Sequence, residues 1–219
     1  MRMMKRWLRS GFILPAAAAC ILSVPIGAQA ALVTYSFTGS VDNIAPKDTI
    51  SGLFQFDNTA GGSGGVYNGA VRGFTLNIEG IGHNSFFVPG ANAVTISQNM
   101  PLGSGIVDRW ALVTAVTGDV ISGTTTPFSF DLRLDHKGGG LFTDTSLQDP
   151  PSLSSLNGGS ARWRLFFEDV DGNPSVYLGS ISSLTAVPLP AAVLLFGAGL
   201  ISLVGLGAGG LRNLRGVKA

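Results

Sequence analysis

Phe128-Ser129-Phe130-Asp131-Leu132-Arg133-Leu134-Asp135, residues 128–135, carry an apolar side chain at every second position and a polar or charged one between. Side chains along a strand point alternately to opposite faces, so a period of two means one buried face and one facing outward. The alternation returns where Trp163, Leu165 and Phe167 interleave with Arg162, Arg164 and Glu168. Working outward, further runs rich in β-branched and aromatic residues occur at 32–37, 50–56, 73–79, 85–88, 93–98, 106–116 and 176–184. Between them lie turn-forming clusters: Gly61-Gly62-Ser63-Gly64-Gly65, Val88-Pro89-Gly90, Gly138-Gly139-Gly140, Asp149-Pro150-Pro151 and Asp171-Gly172-Asn173-Pro174. Many short strands punctuated by glycine and proline predict an all-β domain, an antiparallel sandwich or a jelly-roll-like fold, over residues 31–186. The stretch 143–160, rich in Ser, Pro, Gly and Leu, reads as a long surface loop.

The whole chain has 219 residues and a net charge of +1, which conceals a division into three pieces. Residues 1–30 carry +4, residues 31–187 carry −6, and residues 188–219 carry +3. The 31 glycines lack the every-third-residue spacing of collagen, and a single cysteine cannot form an internal disulfide. Nucleic-acid binding is disfavoured, because an acidic central domain without a basic stripe repels phosphate.

Arg2, Lys5, Arg6 and Arg9 precede an uncharged stretch from Gly11 to Ile26 and then Ala28-Gln29-Ala30. A basic start, an apolar centre and small residues before a cut are the three parts of a secretory signal peptide. Residues 1–30 are therefore read as a signal peptide. Signal peptidase is the implied partner, with Ala28 and Ala30 at the cleavage positions and Ala31 as the first mature residue. An uncleaved anchor and acylation of Cys20 are the competing readings. Cleavage after Ala30 would leave a mature chain without cysteine, removing thiol catalysis and cysteine-ligated metals.

At the other end, residues 191–211 contain no charge and, at about 1.5 Å per helical residue, are long enough to cross a bilayer core of about 30 Å. Arg212, Arg215 and Lys218 follow as a membrane stop, and the positive-inside tendency keeps residues 212–219 cytoplasmic. Ahead of the predicted transmembrane helix stands Val187-Pro188-Leu189-Pro190-Ala191. Two prolines fix φ near −65° and remove two backbone donors, which favours an extended segment between sheet and helix.

A Val-Pro-Leu-Pro-Ala box, a glycine-rich apolar helix and a short basic end closely resemble the VPLPA variety of the PEP-CTERM sorting domains. The resemblance covers residues 187–219. It implies a Gram-negative bacterium that makes exopolysaccharide, and an exosortase, a cysteine-dependent membrane protease or transpeptidase, that recognises residues 188–191. This chain would be its substrate, held at the inner membrane until sorted and then placed at the cell surface or outside the cell. Leu189 stands where the commonest family pattern has glutamate.

The remaining constellations point weakly to chemistry. Gly205-Leu206-Gly207-Ala208-Gly209-Gly210 spells a dinucleotide motif but lacks its strand, its following helix and its acidic residue. Asp169, Asp171 and Asn173 resemble the start of a calcium loop, yet no acid follows Asp171, so a tight turn is the favoured reading. His83 and His136 show no triad signature, and Asp131 with Asp135 reads as a solvated strand face rather than a glycosidase pair. Tyr35, Tyr67, Trp110 and Tyr177 are candidates for stacking on sugars or, alternatively, for the core. No catalytic residue, cofactor or metal is assigned. The sequence points to a non-enzymatic exported protein of the envelope or extracellular matrix, its domain structural or weakly carbohydrate-binding and exopolysaccharide its potential ligand. An enzyme acting on matrix glycans is the alternative.

Overall fold

The alternating runs become strands of a single sheet in a computed structural model, which describes residues 32–44, 48–121 and 125–188. The strands are β1 (Leu32–Val41), β2 (Asp48–Asp57), β3 (Val66–Asn68), β4 (Val71–Ile78), β5 (His83–Leu102), β6 (Gly105–Gly118), β7 (Thr126–Lys137), β8 (Ser160–Glu168) and β9 (Pro174–Val187). Every pairing is antiparallel, and the order runs β1-β2-β4-β5-β6-β7-β8-β9 with β9 returning to β1. Short β3 adds to β5. Eight strands therefore close into an up-and-down barrel.

The all-β, antiparallel expectation holds, while the sandwich or jelly roll gives way to closure. Those architectures share the same alternation. What separates them is the pairing of first strand with last, here Thr34 opposite Val187 through Val41 opposite Gly179, which no local pattern encodes. Closure also removes the exposed edges that an open sheet must protect.

Pro89 and Gly90, expected to end a strand, instead lie within β5. The pairing of β5 with β6 shifts register between Phe87 and Asn92, the mark of a bulge. On its other side β5 pairs with β4 only at His83–Phe86 and with β3 only at Ala93–Thr95. Proline, lacking an N–H, occupies the gap between these two partners.

Eight strands enclose a space that side chains can fill, and here aromatic rings fill it. Phe37, Phe54, Phe56, Trp110, Phe130, Trp163 and Phe167 are almost wholly buried. Rings from separated strands meet across the interior: Phe74 and Phe130 lie 4.4 Å apart, and Phe54 and Trp110 5.9 Å apart. Room for them comes from glycine. Phe37 lies opposite Gly52, where a Cβ would collide with its ring.

The segment between β7 and β8 was expected to lie on the surface, but it closes one mouth of the barrel. Phe142, Pro150 and Leu156 are buried, the last in a short 3-10 helix (Leu153–Leu156). Side chains of the barrel hold it by its backbone: Trp110 Nε1 donates to Gln148 O at 3.0 Å, Tyr67 Oη to Thr145 O at 2.8 Å, and Gln98 Nε2 to Phe142 O at 2.7 Å. Leucines and Phe142 spaced through the segment supply its buried side.

Candidate functional site

With the interior filled, the barrel presents its outer wall as the available surface, and that wall has two unlike halves. On β6, β7 and β8 charge gathers on the outward face toward the plugged mouth, while Val113 and Phe128 are exposed apolar side chains nearer the other mouth. Arg109 donates to Asp135 through Nε at 2.6 Å and a second nitrogen at 3.0 Å. Arg164 lies opposite Asp131 in the register and donates to both its oxygens, at 3.0 and 2.9 Å through Nε, while Arg133 reaches the same carboxylate at 3.0 Å. Arg162 continues the chain of pairs to Asp42 at 2.8 Å.

On β1, β2, β4 and the start of β5, the outward positions carry no charge across the middle of the wall. Strand register aligns them in transverse rows. One row runs Thr38, Ser51, Asn77, Asn84, and the next runs Ser36, Leu53, Thr75, Phe86. Thr34, Gln55 and Gly73 form a third. Several polar groups are engaged with one another: Gln55 Nε2 donates to Thr34 Oγ1 at 3.0 Å, and Asn77 Nδ2 to Asn84 Oδ1 at 2.9 Å. Among the described residues the Ser51 and Thr75 hydroxyls are not so engaged. Phe86 is 49% and Leu53 42% exposed, high values for large apolar side chains in mid-sheet. Both line two adjoining open recesses of about 390 and 460 Å³ that share Leu53, Thr75 and Phe86.

The residues singled out from sequence are scattered rather than gathered into one site. Asp131 and Asp135 are not a solvated face: their arginine partners cover them, leaving 9% and 6% exposed. Asp169 spends its carboxylate on its own turn, accepting from the N–H groups of Asp171 at 2.9 Å and Asn173 at 2.8 Å and from Asn173 Nδ2 at 3.0 Å. The Asn173 side chain and backbone hold the Asp169 carboxyl below its ordinary range. Among the described residues, no group of three or more His, Cys, Asp and Glu side chains is placed to hold a metal ion.

The two histidines do not meet. His83 begins β5 and His136 nears the end of β7, beside the plugged mouth. His83 Nε2 lies 2.7 Å from Ser85 Oγ, a nucleophile-and-base distance, but the two residues are only 2% and 0% exposed. Nδ1 of both histidines is buried without a hydrogen-bond partner among the described residues. Tyr35, Tyr67 and Trp110 point into the buried cluster, and half-buried Tyr177 packs on Phe167 at 5.0 Å. Burial and the neighbouring Asp149 carboxylate push the Tyr35 phenol up to about 12.

The exposed ring on the uncharged wall is Phe86, a phenylalanine and not one of the tyrosines or the tryptophan that the sequence offers for stacking. Its signal lay in the outward half of the alternation, where Thr34, Ser36, Thr38, Ser51 and Gln55 hold neutral polar groups in place of the charges on β7 and β8.

Of the sorting box, Val187 ends β9 and Pro188 follows it, both exposed. Leu189, Pro190 and Ala191 lie outside the described residues, as do Ala28, Ala30, Ala31, Arg212, Arg215, Lys218 and the predicted span 191–211. Among the described residues, no helix is long and apolar enough to cross a membrane. No protein-family model matches the chain, and neither a curated protein nor a solved structure matches it.

Proposed function

We propose that this chain is an exported, non-enzymatic protein of the cell envelope or extracellular matrix. Residues 1–30 direct export, residues 187–219 are read by an exosortase-type membrane enzyme, and the barrel contributes structure or weak carbohydrate binding. The observation that best supports this reading is the placement of the barrel's two ends. β1 starts at Leu32, next to the inferred first mature residue, and β9 ends at Val187, where the proline box begins. Because Thr34 pairs with Val187, the leader and tail attach side by side at the same mouth.

The opposite mouth carries Asp42, Asp48, Glu79, Asp119, Glu168, Asp169 and Asp171, with no Lys or Arg among the described residues of its connecting turns. A domain tethered by its chain ends would turn these carboxylates away from anionic lipid. Mass spectrometry of the mature protein from its native host should find Ala31 as the first residue and no peptide beyond the 188–191 region. An intact carboxyl terminus would refute the sorting step.

A further inference from the structure

We propose that the uncharged wall formed by β1, β2, β4 and the start of β5 binds a neutral polysaccharide, laid across the strands along the row that ends in Phe86. The inference rests on the reading of the barrel as a carbohydrate-binding domain and gives that reading a surface and a ligand class. The row Ser36, Leu53, Thr75, Phe86 crosses four strands, a span of about 14 Å at ordinary strand spacing. It offers an apolar ring and an apolar aliphatic side chain between hydroxyl-bearing neighbours.

That mixture matches a sugar chain, which has C–H faces for a ring to cover and hydroxyls around its edge. A Ser or Thr hydroxyl both donates and accepts, so it can meet a sugar hydroxyl in either sense. Ser51 and Thr75 are free to do so because neither is engaged by the neighbouring side-chain bonds that occupy Thr34, Gln55, Asn77 and Asn84. The absence of charge in these rows sets the ligand's charge. An anionic glycan would find no cation to pair with there and would meet Glu79 and Asp119 at the acidic mouth, whereas a neutral chain requires no buried charge. Arg72, at the start of β4 and outside these rows, is paired with Asp57 at 3.4 Å, and the arginines of β6, β7 and β8 are occupied by Asp131, Asp135 and Asp42.

Affinity electrophoresis of the full chain in a sugar-free nonionic detergent tests this, using gels cast with dextran, a β-1,3-glucan or a galactomannan, and with alginate as the anionic probe. At least one neutral polysaccharide should retard the protein and alginate should not. Phe86→Ala should weaken that retention about tenfold, as expected for losing one aromatic contact. Thr75→Val should weaken it less, and Arg133→Ala on the charged wall should leave it unchanged. Circular dichroism checks that each variant is folded; should Phe86→Ala fail to fold, Thr75→Val carries the comparison.

Retention by none of the neutral polysaccharides, retention by alginate alone, or equal retention of folded wall variants overturns the proposal. So does a dimer in sedimentation velocity that Phe86→Ala dissociates, because the wall would then be covered by a second copy. Binding in the gel is independent of processing in the host. A chain that matures and sheds its tail yet binds nothing loses only the glycan surface, while one that binds but keeps its tail loses only the sorting step.

Discussion

Each mouth of the barrel buries an ionisable side chain, and the two are treated in opposite ways. At the plugged mouth Asp108 is fully buried, with Oδ1 accepting from the N–H of Asn99 at 2.7 Å and Oδ2 from those of Leu141 at 2.7 Å and Phe142 at 3.0 Å. Near the acidic mouth His83 is almost as buried, yet one ring nitrogen meets Ser85 and the other meets nothing among the described residues. The first group ties elements together: Asn99 sits at a register shift in β5 with φ of 47°, and Leu141 and Phe142 belong to the plug. The second ties little. Burial alone therefore does not say whether a polar group stabilises a fold; its partners decide the sign.

The largest effect that would test this contrast is removal of the Asp108 carboxylate. Asp108→Ala leaves three N–H donors without their acceptor, and at roughly 1–3 kcal/mol for each buried unsatisfied group a loss of about 4 kcal/mol is expected. In a barrel of this size that corresponds to a fall of about 12 °C in melting temperature. Limited proteolysis should then cut first between residues 138 and 159. A melting temperature within a degree or two of wild type would mean that the plug is held by its apolar contacts alone.

Acid supplies a smaller test of the same group. Desolvation by itself would raise the Asp108 carboxyl, but the N–H donors from Asn99, Phe142 and Leu141, aided by His136, outweigh it and hold the group below its ordinary range. A depressed folded pKa contributes stability above the unfolded value of about 3.9, and that contribution is lost as pH falls through the folded value. Asp108→Asn lacks the titration. The gap in melting temperature between wild type and Asp108→Asn should be widest near neutrality and narrow below about pH 3.9. A gap that stays constant with pH would show that Asp108 acts through shape and not through charge.

Much of this architecture was legible in the sequence, and what was not has a physical cause. The alternation at 130–135 and 162–168 marked β7 and β8, because a half-buried strand writes its period directly into composition, whereas Phe128, read as part of the buried face, is exposed beside a register shift between Pro127 and Ser129. Closure was hidden, since the pairing of Thr34 with Val187 joins residues from opposite ends of the domain and leaves no local trace. The plug was misread because Ser, Pro and Gly suggest a surface loop, while its few apolar anchors, Phe142, Leu147, Leu153 and Leu156, follow no helical or strand period. The neutral wall leaves no mark in residue type for a related reason: phenylalanine usually belongs to a core, and exposure of Phe86 follows from its place on the outward face.

The smallest effect belongs to His83, and it sharpens the comparison from the other side. Burial holds its imidazole below the ordinary range, although the Asp119 carboxylate pulls in the opposite direction. Below about pH 6.5 the unfolded chain takes up a proton that the folded chain refuses, so stability declines until the folded value is also passed. His83→Gln should abolish this decline between pH 7 and 5 while leaving the stability at pH 8 nearly unchanged; a decline that persists in the variant would assign the pH dependence to other groups. Replacing both partners, as His83→Leu with Ser85→Ala, removes the hydrogen-bonded Nε2 and hydroxyl together with the unpaired Nδ1. The double replacement should cost less than about 1 kcal/mol, because exchanging both polar groups for apolar ones of similar shape is close to neutral.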